Sequence, residues 1–144
     1  MIRIQLVIFL YIMMVAGACK KDEVIIAPTK INFTSVLNGA NEPRPVTTSA
    51  TGTATAEFDT QTKILTVTVI YSGMVATSGN IHRGKPGETG TIIFPFSVTT
   101  SPITYRSTGL PPAKEADLLN NLYYINLKSA ANITGEIRGQ LIKQ

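Results

Sequence analysis

Near the carboxy terminus, apolar and polar side chains alternate in two short runs. Tyr123, Ile125 and Leu127 interleave with Tyr124, Asn126 and Lys128, and Ile137, Gly139 and Leu141 interleave with Glu136, Arg138 and Gln140. A period of two is that of a β-strand, so each run is expected to turn one face to a core and the other to water. The polar stretch from Ser129 to Gly135 is short enough to join them as an antiparallel hairpin. The same alternation appears upstream. Lys30 to Asn38 places Ile31, Phe33, Ser35 and Leu37 on one face, and Asn38-Gly39 ends the run. Gly52 to Phe58 sets Ala54, Ala56 and Phe58 against Thr53, Thr55 and Glu57. After a polar turn, Leu65, Val67, Val69 and Tyr71 alternate with Thr66 and Thr68. These two runs read as a second hairpin, with small alanines opposite bulkier valines.

The remaining segments are less regular. Val75 to His82 reads as a weak strand, and Thr91 to Val98 as another with Pro95 at an edge or bulge. Between them Arg83 to Gly90 holds three glycines and a proline. No strand-to-helix context follows that would make it a phosphate cradle, so it reads as a flexible connection. Glu42-Pro43-Arg44-Pro45 carries two residues without an amide donor and is expected to run as an extended surface loop. One helix is predicted within Thr108 to Asn121, opened by Pro111-Pro112, with Ala113, Ala116 and Leu119 at helical spacing beside Leu118. Seven or eight short strands with one short helix predict an all-β antiparallel fold, an immunoglobulin-like sandwich or a barrel.

The amino terminus follows a different pattern. Arg3 precedes an uncharged apolar run from Leu6 to Cys19, too short for a comfortable membrane span and of the length of an export signal. Ala16-Gly17-Ala18-Cys19 resembles the lipobox of bacterial lipoproteins. That resemblance implies cleavage before Cys19 and fatty acylation of the cysteine, and several acyl chains hold a protein stably on a membrane. Cys19 is the only cysteine, so no internal disulfide is available to the chain. Lys20-Lys21-Asp22-Glu23 is similar to the lysine-then-acidic export signal of surface lipoproteins in Bacteroidetes-type bacteria. It implies an outer-membrane protein facing the medium. The chain thus divides into a signal peptide (1–18), a lipidated cysteine with its tether (19–29) and a β domain (30–144).

Charge adds little to this picture. Without Arg3 the chain has 12 basic and 9 acidic side chains, dispersed rather than clustered, which argues against a nucleic-acid partner. Candidate chemistry is sparse. His82 is the only histidine, and a transition-metal site needs three or four converging ligands, so no metal or other cofactor is expected and His82 is at most a weak ligand candidate. Glu136 and Arg138 share one strand face and are expected to form a structural ion pair or charge ladder. No nucleophile has a recognisable base beside it. A glycan-binding domain would need an exposed aromatic platform. Trp is absent, leaving Tyr105, Tyr123 or Tyr124 for that role.

The order of motifs resembles the CHRD domain, a module first described in chordin and also found in bacterial exported proteins. The resemblance rests on Leu37-Asn38-Gly39-Ala40-Asn41-Glu42-Pro43 with Pro45, Thr51-Gly52-Thr53-Ala54, and Ile81-His82-Arg83-Gly84 with the glycine-rich loop. Asp117-Leu118-Leu119, Tyr124-Ile125-Asn126 and Gly135-Glu136-Ile137-Arg138-Gly139-Gln140-Leu141 complete it. It implies an all-β, immunoglobulin-like or barrel-like fold and lends no established reaction. The chain departs from the family in its histidines. Asn80 stands in place of the first His of a His-x-His pair, and Lys128 in place of a histidine after the asparagine strand. The expected function is a non-catalytic binding or interaction module, lipid-anchored in the cell envelope, with a protein or glycan partner. The competing expectation is a metal-binding or redox-protective domain shaped like a superoxide dismutase sandwich.

Overall fold

The computed structural model describes residues 29–144. The signal peptide, Cys19 and the Lys20, Lys21, Asp22 and Glu23 export signal lie outside the described residues. Nine strands form one antiparallel, curled sheet: β1 (Lys30–Asn38), β2 (Thr51–Asp59), β3 (Leu65–Ser72), β4 (Ser78–Arg83), β5 (Thr91–Pro95), β6 (Ile103–Arg106), β7 (Tyr123–Lys128), β8 (Ile137–Gln140) and β9 (Ile142–Lys143). Their order is β5-β4-β7-β8-β1-β2-β3-β6, with β9 paired to β1. The two ends of that order meet through side chains: Phe94 of β5 lies 5.3 Å from Tyr105 of β6, ring centre to ring centre. The curl is therefore closed by an aromatic seam.

The period-two pattern places the core as expected in the first half. Phe33 and Leu37 of β1, Ala54, Ala56 and Phe58 of β2, and Leu65, Val67 and Val69 of β3 are buried together. In the hairpin of β2 and β3, Ala54 faces Val69 and Ala56 faces Val67. Small side chains on one strand there make room for branched ones on the next. The carboxylate of Asp59 accepts from the backbone N–H of Gln61 and Thr62 (2.8 and 2.9 Å) and shapes the turn.

The helix, α1 (Pro112–Leu119), starts with proline in its first turn and has no side-chain cap. It docks through Leu118, which is fully buried, whereas Ala113 and Ala116 are exposed. The alanine row that suggested the helix is thus its solvent side. Arg83 of β4 holds Asp117 with a two-pronged ion pair (2.6 and 3.0 Å), and Lys63 beyond the β2–β3 turn holds Glu115 (2.8 Å). Strand β6 lies in a segment assigned to no element from the sequence.

The second half departs from the simple in-or-out expectation. All of β7 except Lys128 is buried, as are Ile137, Arg138 and Gly139 of β8. The polar face of the carboxy-terminal hairpin does not meet water, because three loops lie over it.

Candidate functional site

Those three loops are built from segments far apart in the chain. In the first, Asn38 and Asn41 organise a single 3-10 turn (Gly39–Asn41): the Asn38 side chain accepts from the Asn41 N–H at 3.0 Å. The Asn41 amide donates to the carbonyls of Val36 (3.1 Å) and Arg138 (3.0 Å), docking the turn onto β8. A side chain at Gly39 would collide with the carbonyl of Val46, so the turn requires glycine. The next residue, Glu42, is thereby aimed inward and is only 8% exposed. The extended surface loop expected at Glu42 is corrected here: Pro43, Arg44 and Pro45 are exposed, but the carboxylate is not.

The second loop is the glycine-rich segment after β4, and it is pinned rather than free. Arg138 donates from its two terminal nitrogens to the carbonyls of Glu88 (2.7 Å) and Lys85 (2.9 Å). Gln140 donates to Gly84 O (3.0 Å), and the Gly90 N–H donates to the Tyr124 hydroxyl (2.9 Å). His82 Nδ1 lies 3.3 Å from Gly90 O. A carbonyl only accepts, so this contact fixes the proton on Nδ1 and leaves Nε2 as a bare acceptor. The third loop, residues 129–135, closes the β7–β8 hairpin. It ends at Gly135, where a Cβ would stand 2.5 Å from both Asn126 Nδ2 and Glu42 Oε1. The missing side chain is what lets those two groups meet.

Under the loops lies a layered stack. The Arg138 guanidinium sits 3.4 Å from the centre of the Tyr124 ring, and the His82 ring lies 4.9 Å from it at an interplanar angle of 14°. Beside the stack, Asn126 Nδ2 donates to both oxygens of Glu42 (3.1 and 3.2 Å). Burial raises the Glu42 pKa above the ordinary carboxylate value, against the opposing pull of the Arg138 charge and the Asn126 amide. Burial also lowers the His82 pKa from its ordinary value, opposed by the hydrogen bond to the Gly90 carbonyl and helped by the positive charges of Lys128 and Arg138. The expected pair of Glu136 and Arg138 is not formed. Glu136 instead accepts from the Thr48 hydroxyl at 2.7 Å, and the hydroxyls of Ser129 and Thr48 hold its pKa below the usual carboxylate range.

Glu42, His82, Tyr124, Asn126 and Arg138 line a cleft of about 470 Å³, rimmed by Arg44, Lys128 and the loop residues Thr89 and Thr134. Two buried polar atoms of these lining residues, His82 Nε2 and Asn126 Oδ1, have no hydrogen-bond partner. Among the described residues no three His, Cys, Asp or Glu side chains come together as a metal set. Of the motif residues picked out in the sequence, His82, Asn126, Gly135 and Arg138 meet at the cleft. Gly84 and Gln140 brace the glycine loop, and Glu136 braces Thr48. Gly139 faces β1, where a Cβ would collide with Ser35 Oγ and the Val36 carbonyl. Tyr123 and Tyr124 are buried and Tyr105 packs on Phe94 and Phe96, so none of the three is an exposed aromatic platform.

Sequence reasoning did not assign a role to Glu42, because a loop residue between asparagine and proline carries no periodic signal. The motif order alone pointed to it. No curated protein and no solved structure matches the chain. The family model for the CHRD domain matches residues 33–141, a span that contains every strand and loop of the cleft, and the chain belongs to the CHRD domain family.

Proposed function

We propose that this chain is a lipoprotein of the outer membrane that presents one non-catalytic CHRD domain outward on a short tether, and that the domain binds a small ligand in the Glu42–Asn126–His82 cleft. The observation that carries the binding reading is the pair of unpartnered acceptors, His82 Nε2 and Asn126 Oδ1, on two of the residues lining a preformed cleft. Leaving a buried polar atom unpaired costs about 1–3 kcal/mol. A ligand that donates to both would recover that cost. Membership of a family with no established reaction supports binding over catalysis. The lipobox-like Ala16-Gly17-Ala18-Cys19 and the following Lys20-Lys21-Asp22-Glu23 support the anchor and the outward address.

Anchor and cleft are tested separately. Cells fed radiolabelled palmitate should label the wild-type protein and not Cys19→Ala, and equal labelling of both would remove the anchor. Protease added to intact cells should digest the wild type, whereas replacing Asp22 and Glu23 with alanine should protect it. For the cleft, a low-molecular-weight extract of the cell envelope and medium should raise the melting temperature of the wild type and not of Glu42→Gln. An extract that shifts neither protein, or both equally, counts against the cleft as the binding site.

A further inference from the structure

The polar groups of this cleft are sorted by kind. The residues beneath it carry acceptors. Asn126 spends its donor nitrogen on Glu42, leaving Oδ1 unpaired, and His82 spends its Nδ1 proton on Gly90, leaving Nε2 unpaired. An ionised carboxylate has about four lone-pair sites, of which one amide nitrogen covers at most two, so Glu42 also accepts with capacity to spare. All three residues are more than nine-tenths buried. The group whose chemistry matches acceptors on three residues, one of them an anion, is a primary ammonium, which carries three N–H donors and a positive charge.

The mouth has the opposite character. Arg44 is exposed and Lys128 half-buried, and neither is in an ion pair, the pairs among the described residues being Lys30–Glu57, Lys63–Glu115 and Arg83–Asp117. Lys128 and Arg44 line the same cleft as Glu42 and His82. Arg138 also lines the cleft, with one N–H of each terminal nitrogen given to the glycine loop. A simple cation would meet three positive side chains and one negative one. A simple anion would meet the Glu42 carboxylate and two unpartnered acceptors. A molecule with a positive head and a negative group next to it satisfies both.

Resting on the binding reading above, we infer that the cleft takes a small zwitterion of the amino-acid class, its ammonium group on Glu42, Asn126 and His82 and its carboxylate toward Lys128 and Arg44. A cleft of about 470 Å³ is in the range that encloses such a molecule.

The test is calorimetric titration of the protein purified from the cells that make it. The probes are the common α-amino acids and, for leucine, its two halves: 3-methylbutylamine, which lacks the carboxylate, and 4-methylpentanoate, which lacks the amine. At least one amino acid should bind saturably, and for leucine each half should bind at least about tenfold more weakly than the whole. Glu42→Gln should weaken amino-acid binding by about tenfold or more. Lys128→Gln, at the rim where folding is not at stake, should weaken amino acids while leaving the amine-only probe as tight or tighter. The inference is overturned if 4-methylpentanoate binds as well as leucine, if Lys128→Gln changes nothing, or if no amino acid binds at tens of millimolar. When the envelope extract still stabilises the wild type and not Glu42→Gln, the last result removes the ligand class and leaves the cleft as a binding site. When the extract is also without effect, both readings go.

Discussion

Two ends of the same outward sheet face have opposite fates. Over β1, β2, β3 and β6 the outward positions carry threonines in cross-strand register: Thr34 faces Thr55, Thr55 faces Thr68 and Thr68 faces Thr104. All four are exposed or half-exposed. Over β4, β7 and β8 the outward positions carry His82 opposite Tyr124, Tyr124 opposite Gln140 and Asn126 opposite Arg138, and all but Gln140 are buried. Alternation fixes which side of a sheet a residue leaves by, and what lies above decides whether it reaches water. Hydroxyls suit a solvated face. Guanidinium, imidazole and carboxamide groups with several donors and acceptors suit a face that must hold loops down.

The largest expected effect comes from removing the centre of the covered end. Arg138→Ala leaves the carbonyls of Lys85 and Glu88 without their charged donor and the Tyr124 ring with His82 as its remaining stacking partner. Urea denaturation should show a loss of roughly 3–5 kcal/mol, the range for breaking a buried charged network. Arg138→Lys should recover only part of it, because an ammonium cannot bridge two carbonyls with a planar fork while stacking on a ring. A loss under about 1 kcal/mol for the alanine variant would mean that the glycine loop supports itself, and the surface-like reading of β8 would be the better one.

This contrast also separates what the sequence reveals from what it hides. The inward faces of β1, β2 and β3 follow from alternation alone, because Phe33, Ala54 and Val67 each stand between two polar residues that are exposed or half-exposed. Tyr124 and Asn126 show the same alternation, yet the face they define is buried by residues 42 and 84–90, whose own positions have no period to read. Strand β6 is hidden in the sequence for a related reason. Ile103 to Arg106 is four residues long, follows Ser101-Pro102 and buries one side chain, too short a run for a period to register. The motif at 135–141 drew attention to the right residues without revealing that Arg138 would reach the glycine loop and leave Glu136 to Thr48.

A smaller effect distinguishes the two buried carboxylates by sign. Glu42 has a raised folded-state pKa, so the native state holds that proton more tightly than the unfolded chain does. Its ionised form therefore opposes folding. That opposition sets in as pH rises from the ordinary glutamate value through the raised one, and is relieved on acidification. Glu136 has a lowered folded-state pKa, so its contribution favours folding above the ordinary value and is lost as pH falls below it. Unfolding free energies measured between pH 7 and pH 4 should show the wild type gaining on Glu42→Gln as the pH drops. The difference between the wild type and Glu136→Gln should stay flat until the pH passes below the ordinary glutamate range. Parallel curves for the two variants would erase the electrostatic distinction between the covered cleft and its hydroxyl-lined flank.

The smallest effect belongs to the open end. Thr55 is exposed between Thr34 and Thr68, and none of its side-chain groups is required to hold a loop. Thr55→Val keeps the branched shape that suits a strand and removes only a hydroxyl that water already serves, so the change in unfolding free energy should stay within about 0.5 kcal/mol. Asn126→Val on the covered end makes a comparable polar-to-apolar swap, but it strips Glu42 of the amide that donates to both its oxygens and should cost several times more. If Thr55→Val were as damaging as Asn126→Val, the threonine row would have to be a covered surface too. The difference between the two ends of the sheet would then lie in what each end packs against, not in whether it is packed.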